Sequence, residues 1–298
     1  MSNVSILQER IEEKTRETKI ELNQLCQGYK VNSGKRRNKK TGDFLALDNF
    51  SLSVKEGEFI AVVGPSGCGK STLLDIVAGL SSPRSGSISI DGKVVTGPDL
   101  DRGFVMQGYA LFPWRTVIKN VEFGLELKHV PKKTRVELAK RYINLVGLDA
   151  FENHYPYELS GGMKQRVAIA RALAYDPEVL LMDEPFAAVD AQTREVLQDE
   201  LINIVGKTNK TVIFVTHSID EAVLLADRVV VMTCNPGKVK EIINIDLPKP
   251  RSNSSLHEAQ NFEEIRHYIW GLLQNHREEG DEVYKEEEAP VSRKESCV

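Results

Sequence analysis

The sequence is poor in the features that mark secreted or membrane-embedded chains. Its 298 residues include only four cysteines, Cys26, Cys68, Cys234 and Cys297. None stand as C-x-x-C, and none share metal-ligand spacing with histidine, so neither a disulfide framework nor a zinc site is expected. They read as free thiols of a reducing compartment. No apolar run approaches the ~18 residues that a membrane helix needs. The first residues lack the charged-then-apolar pattern of an export signal. Internal repeats and coiled-coil heptads are also missing. Net charge is −4, and the stretch from Arg277 to Val298, with eight acids and four bases, accounts for all of it. No overall basic field suggests a nucleic-acid partner. These absences predict a cytoplasmic protein whose membrane role, if it has one, comes through another chain.

What is present is an ordinary globular balance, 41% hydrophobic and 28% charged, long enough for one large domain or two small ones. The chain is organised around Gly64-Pro65-Ser66-Gly67-Cys68-Gly69-Lys70-Ser71-Thr72. An apolar run, Phe59 to Val63, precedes it, and Leu73 to Ala78 follows. Strand, glycine turn and helix are the context of a phosphate-binding loop. Gly64, Gly67 and Gly69 let the backbone wrap so that successive N–H groups face an anion, and the helix N-terminus adds its positive end. Lys70 is placed to reach the β/γ-phosphates. The Ser71 hydroxyl is a hard ligand suited to Mg²⁺. Cys68 lies inside the loop, where its thiol is expected to be accessible and shielded by bound nucleotide.

Around this loop the pattern predicts an α/β fold. Residues 1–19 read as a polar arm. Ile20 to Tyr29 and Phe44 to Val54 read as paired strands. The basic segment between them, with Lys35-Arg36-Arg37 and Lys39-Lys40, reads as a loop, solvated or facing an anionic membrane. Asp91-Gly92 marks a hairpin after Ser87–Ile90. Helical spacing without strands, from 116 to about 158, predicts a small helical subdomain. Its bounds are set at about 108–165. Beyond it, Val179–Met182, Thr211–Val215 and Arg228–Met232 alternate with helices, the βα pattern of a parallel sheet. An edge strand over 238–246 and Leu247-Pro248-Lys249-Pro250 end the domain, assigned to 20–248. Residues 249–298 form an extension. There Phe262, Ile265, Tyr268, Ile269, Leu272 and Leu273 make one helical stripe, to pack on its own domain or on a partner. Glu278 to Val298 is expected to be disordered.

Two further segments carry chemistry. Val179-Leu180-Leu181-Met182-Asp183-Glu184-Pro185 is a buried strand ending in two acids. At that position Asp183 can hold Mg²⁺ through water, and Glu184 can act as general base on an attacking water. In Leu159-Ser160-Gly161-Gly162-Met163-Lys164-Gln165-Arg166, Ser160 caps a helix that opens on glycines, a second phosphate cradle. One nucleotide does not need two cradles from one subunit, so the second one serves a nucleotide held by another copy.

Taken together, from about Ile20 to Pro248, these motifs resemble the ATP-binding-cassette ATPases. The phosphate loop, Gln107, Leu159-Ser160-Gly161-Gly162, Asp183-Glu184 and His217 stand in that family's order. The resemblance implies a P-loop NTPase core, RecA-like and mostly parallel, with an antiparallel β subdomain and an inserted helical subdomain. It implies ATP and Mg²⁺ as cofactors, and a head-to-tail dimer with ATP at the interface. Gly64, Ser66, Gly67, Cys68, Gly69, Lys70, Ser71 and Thr72 would hold the nucleotide, and Ser71, Gln107 and Asp183 the metal. Ser160, Gly161, Gly162 and Gln165 of the second copy would meet the γ-phosphate. Glu184, His217 and Gln107 would be catalytic, and Asp190 would lie in the segment that communicates across the dimer. Val189 stands where the family more often has Leu. Tyr29 is the candidate to stack on adenine, with Phe44 the fallback. Gln107 with Leu111-Phe112-Pro113-Trp114-Arg115-Thr116-Val117, and Asn120 to Leu127, look like the nitrate/sulfonate/taurine importer branch, in which the Tyr109–Trp114 region meets the permease. The expectation is an ATPase subunit at the cytoplasmic face of the cell membrane, with a separate permease and solute-binding protein. The alternative is a soluble member acting on DNA or ribosomes. Against it stand the lack of a coiled coil between Ser71 and Leu159, the single cassette and the absence of zinc cysteines.

Overall fold

Strands that read as continuous apolar runs need cover on both faces. In the computed structural model, which describes residues 17–33, 40–187, 189–248, 251 and 261–285 (backbone alone at 31–33, 40–42 and 275–285), they have it. β3 (Phe59–Val63), β7 (Val179–Asp183) and β8 (Thr211–Thr216) are buried at every residue. They lie in a six-stranded sheet of order β10-β9-β3-β8-β7-β6, where β6 is Arg102–Val105, β9 Arg228–Met232 and β10 Val239–Asn244. All neighbours run parallel except β10, an antiparallel edge. A second, four-stranded antiparallel sheet has the order β2-β1-β4-β5, with β1 Thr18–Ser33, β2 Lys40–Lys55, β4 Ser85–Ile90 and β5 Lys93–Val94.

Side chains alternate across the central strands and feed two cores. Ile60, Val62, Val179 and Leu181 face the antiparallel sheet, meeting Ile20, Phe50, Leu52 and α1 (Lys70–Val77). Phe59, Ala61, Val63, Leu180 and Met182 face the other way, onto α5 (Gly161–Ala174), α6 (Ala191–Thr208) and α7 (Ile219–Leu225). A third core holds the helical subdomain: α2 (Val117–Val121), α3 (Phe123–Leu127), α4 (Lys132–Leu145) and 3₁₀ turns at Asp149–Phe151 and Pro156–Glu158. Helix α5 belongs to two of them. Its Ala168, Ile169, Ala172 and Leu173 pack on the sheet, while Val167, Ala170 and Ala174 pack on the helical subdomain.

Three expectations change. The segment Lys30–Asp43 is not simply a loop: β1 and β2 stay paired out to Ser33 and Lys40. A two-stranded ribbon needs no apolar face to keep its ladder, so polar residues hid it. Residues 18–19, read as part of the arm, begin β1, with the buried Lys19 ammonium on Asp91 at 2.8 Å and on Glu178. The rest of the arm, the centre of the basic segment and the end of the acidic tail lie outside the described residues.

The third change is at the C-terminus. The domain does not end at Pro248. Arg251 is buried, and its guanidinium donates to the carbonyls of Ala226 at 2.5 Å, Ile245 at 2.7 Å and Leu247 at 3.2 Å. Helix α8 (Phe262–Lys285) then packs on its own domain, with Phe262 and Ile269 in the core beside Ile219, Ala222 and Val223. It runs through Glu278–Lys285, a stretch expected to be disordered. Glu and Lys are good helix formers, and a helix already nucleated by packing propagates cheaply.

If α8 is part of the core, Phe262→Ala should lower unfolding free energy by about 3–5 kcal/mol. The urea midpoint measures it; a change near zero would place the helix outside the cooperative unit.

Candidate active site

The site forms where three parallel strands end level. Val63 pairs with Thr216, and Asp183 with Val215, so the residues that follow each strand emerge at one edge. After β3 comes the glycine loop. Gly67 and Gly69 have φ of 80° and 95°, in the left-handed region. At Gly69 a Cβ would also lie 2.7 Å from the Ala46 carbonyl oxygen. Gly64 is needed for space instead: its Cβ would lie 2.8 Å from Cys68 Sγ. The Lys70 ammonium is drawn into the loop, donating to the Gly64 and Pro65 carbonyls at 2.7 and 3.0 Å. Ser66 and Ser71 are exposed and Thr72 half-buried.

Cys68 departs from expectation. It is fully buried beneath the loop, with Sγ 3.9 Å from Lys70 Nζ. Burial pushes its thiol up, against the pull of the Lys70 charge. Its backbone N–H donates to the Pro65 carbonyl at 3.3 Å.

After β7 come the two acids. Asp183 is buried, and desolvation raises its carboxyl, while a hydrogen bond from Ser71 and the charge of Lys70 pull it back. Ser71 and Asp183 therefore touch. Glu184 sits at φ 44°, a conformation that is strained for a non-glycine residue. Its N–H on the Val215 carbonyl, at 2.9 Å, helps hold it there. Its Oε2 accepts from Gln107 Nε2 at 3.2 Å and lies 3.2 Å from His217 Nδ1. Three expected residues from three strand ends thus meet on one carboxylate oxygen. Oε1 has no side-chain partner among the described residues, so it can accept from water.

The adenine candidates also converge. Tyr29 and Phe44 are directly paired across β1 and β2, so their side chains stand on one face. Both are about two-fifths exposed, at 42% and 40%, and Tyr29 Oη lies 3.4 Å from Thr72 Oγ1.

The second cradle is separate. Ser160 is exposed and caps α5, its Oγ accepting from Met163 N at 3.3 Å. Gly161 and Gly162 follow, half-buried. A Cβ on Gly162 would meet Thr193 Cγ2 at 3.2 Å, beside the Asp190 cap of α6. Among the described residues no hydrogen bond joins Ser160 to the loop around Lys70. Gln165 is not on this surface: it is 1% exposed, on the inner side of α5.

Two residues that the sequence reading passed over tie these parts together. Arg171 of α5 donates to the carbonyls of Ala110 at 2.5 Å and Tyr109 at 2.8 Å, two left-handed residues just after Gln107. Asn120, fully buried, accepts from Phe112 N at 2.8 Å and donates to the Arg115 carbonyl at 2.9 Å. The signal was there: a cation and an amide in otherwise apolar helical stretches. The aromatic cluster stays together, with Phe112 and Trp114 centroids 5.7 Å apart, but its members differ in exposure. Phe112 packs edge-on to Phe123, with centroids 4.7 Å apart, whereas Trp114 is 72% exposed.

A glycine loop with its lysine, a buried acid and a second carboxylate reached by Gln107 and His217 together form a candidate nucleotide-phosphate site. Comparison with known proteins agrees. Residues 47–187 match the family model described as ABC transporter. An uncharacterized ABC transporter ATP-binding protein of Methanocaldococcus jannaschii is 60% identical over 240 residues, 80% of this chain and 86% of that one. An aliphatic sulfonates import ATP-binding protein of Bacillus cereus is 50% identical, covering 76% and 88%. A nitrate import ATP-binding protein of Synechocystis is 52% identical, covering 70% and 79%. The solved dimeric structure of a bacterial ABC transporter cassette superposes with a TM-score of 0.69 at 34% identity, covering 77% of this chain and all of that one. A post-hydrolysis form of such a cassette, bound to ADP and Pi, gives 0.68. This chain belongs to the ABC transporter ATP-binding proteins. It is an ATPase, and ATP and Mg²⁺ are its cofactors.

The residues present fit those cofactors. The metal candidates Ser71, Asp183 and Gln107 offer only hard oxygens, as Mg²⁺ requires. The loop is packed tightly enough that a Cβ at Gly69 or Gly64 would clash with Ala46 or Cys68, which fixes its backbone.

Thiol chemistry can test the placement of Cys68. In the folded protein, half-buried Cys26 and Cys234 should react with maleimide first. Cys68 should react only on unfolding, with or without nucleotide. Peptide mapping by mass spectrometry reads this; rapid labelling of Cys68 that Mg-ATP blocks would restore the exposed-thiol reading.

Proposed function

We propose that this chain is the ATP-hydrolysing subunit of an importer for a small anion, working as a dimer on a separate permease supplied by a separate solute-binding protein. The hydrolytic half rests on one observation: Gln107 and His217 both reach the Glu184 carboxylate at 3.2 Å, beside Asp183 and the glycine loop. The importer half draws support from relatives named for sulfonate and nitrate import at 50% and 52% identity. No helix among the described residues is long and apolar enough to cross a membrane, which suits a peripheral subunit. The DNA or ribosome alternative has no such support.

In this reading the loop N–H groups and Lys70 bind the phosphates, and Tyr29 with Phe44 receives the adenine. Ser71, Asp183 and Gln107 would hold Mg²⁺, which would supply positive charge against the phosphates when bound. Glu184 accepts the proton of the attacking water, Gln107 orients its carboxylate, and His217 holds that carboxylate from the other side. Ser160, Gly161 and Gly162 of the second copy close over the γ-phosphate, and Asp190 signals across the interface. Exposed Trp114 belongs to the surface that meets the permease.

Glu184→Gln keeps shape but cannot take the proton. Hydrolysis should fall by ~10²–10⁴, the usual contribution of a positioned base, while ATP binding survives. A stable ATP-dependent dimer should accumulate, and adding Ser160→Arg should dissolve it. Light scattering with and without Mg-ATP reads the dimer. Wild-type turnover, or a monomer at saturating ATP, would refute the mechanism.

The importer half has its own test. Trp114→Ala should spare folding and ATPase rate in the isolated subunit but weaken co-purification with the cognate permease. Loss of solubility instead would mean that Trp114 serves the fold.

A further inference from the structure

The C-terminal helix and the histidine at the site share a wall. A cavity of about 310 Å³ has His217, Ser218 and Asp220 on one side and Arg266, His267 and Trp270 of α8 on the other. His217 is 64% exposed, and beyond its 3.2 Å approach to Glu184 no other side-chain hydrogen bond reaches its ring among the described residues. The turn that carries it is stiff. Thr216 Oγ1 donates to Glu221 Oε2 at 2.6 Å, and Ser218 N donates to Thr216 Oγ1 at 3.0 Å. Ser218 Oγ accepts from Glu221 N at 3.3 Å. The first turn of α7 therefore moves with His217 as one body. Arg266 Nε grips that turn at Asp220 Oδ1, 2.8 Å away. The grip comes from a fixed point, since Phe262 and Ile269 on either side of Arg266 are buried in the core.

We propose that α8 is a positioning element for His217, acting through Arg266 on Asp220, so that the C-terminal helix sets the hydrolysis rate. This rests on the reading of His217 and Glu184 given above. An exposed ion pair adds little to global stability. Its consequence here is orientation: Arg266 fixes the angle at which the histidine turn meets Glu184.

The test uses the full-length chain with Arg266→Gln, Asp220→Asn and both together. Each single change should lower kcat about two- to five-fold, the scale of an exposed ion pair. KM for ATP should stay unchanged, because neither residue touches the phosphate loop. The double variant should be no slower than the slower single, and Arg266→Lys should recover part of the rate. The His217 ring-proton resonance in the NMR spectrum should shift alike in both singles. Unchanged kcat, additive losses or an unmoved His217 resonance would overturn the proposal. His217→Ala separates the two levels. If it hydrolyses at the wild-type rate, the reading of His217 itself fails. If it is inactive while the Arg266 and Asp220 variants keep full rate, only the role of α8 fails.

Discussion

The site depends on the register of three parallel strands. Because Val63 lies level with Thr216, and Val215 with Asp183, the loop, the acid pair and the histidine leave the sheet at the same height. A slip of one residue would exchange the two faces of a strand, sending Leu180 and Met182 into the wrong core. Burial on both faces forbids that slip. The same hydrophobic constraint that builds the fold therefore fixes where the chemistry sits. It also lets Glu184 keep its left-handed backbone: a residue in that conformation costs about 1–3 kcal/mol, and a sheet buried on both sides can bear the cost.

Helix α5 extends this rigidity outward. It begins at Ser160, in the second cradle, packs on the sheet along one face and on the helical subdomain along the other. Arg171, three turns on, holds the two strained residues after Gln107. Gln107 in turn touches Glu184. Glu184 and the glycine-capped start of α5 at Ser160 are thus joined by one helix and two hydrogen-bonded links. A movement of the helical subdomain cannot leave Gln107 undisturbed.

Much of this was legible in the sequence because it is local. Gly67 and Gly69 announce left-handed turns; unbroken apolar runs announce doubly covered strands; Ser160 before two glycines announces a helix start. Arg228–Met232 was read to the residue. What the sequence hid is non-local. Whether Cys68 faces the ligand or the core depends on Met232 and Lys70 packing around it. Gln165 looks like a surface residue until α5 is seen to have cores on two sides. The ladder from Tyr29 to Ser33 carries no apolar alternation, so pairing there is visible only in the backbone. Tyr29 and Phe44, weighed as rivals, are cross-strand neighbours on one face, a pairing that only the register reveals.

The C-terminal helix shows why a domain boundary cannot be read from composition alone. Prolines at 248 and 250 suggest a boundary in the sequence, but Arg251 fills four carbonyl acceptors around α7 that would otherwise need partners. An arginine buried on carbonyls is expensive to expose and expensive to replace, since its removal leaves those acceptors unmet. It therefore pins the start of the extension, and Phe262 pins the start of α8. The boundary that matters physically is not the prolines but the last buried anchor, Ile269 with Leu272 and Leu273 packed behind it. Phe262 and Ile269 share a core with the sheet, which is how a helix some fifty residues after His217 in sequence comes to stand beside it.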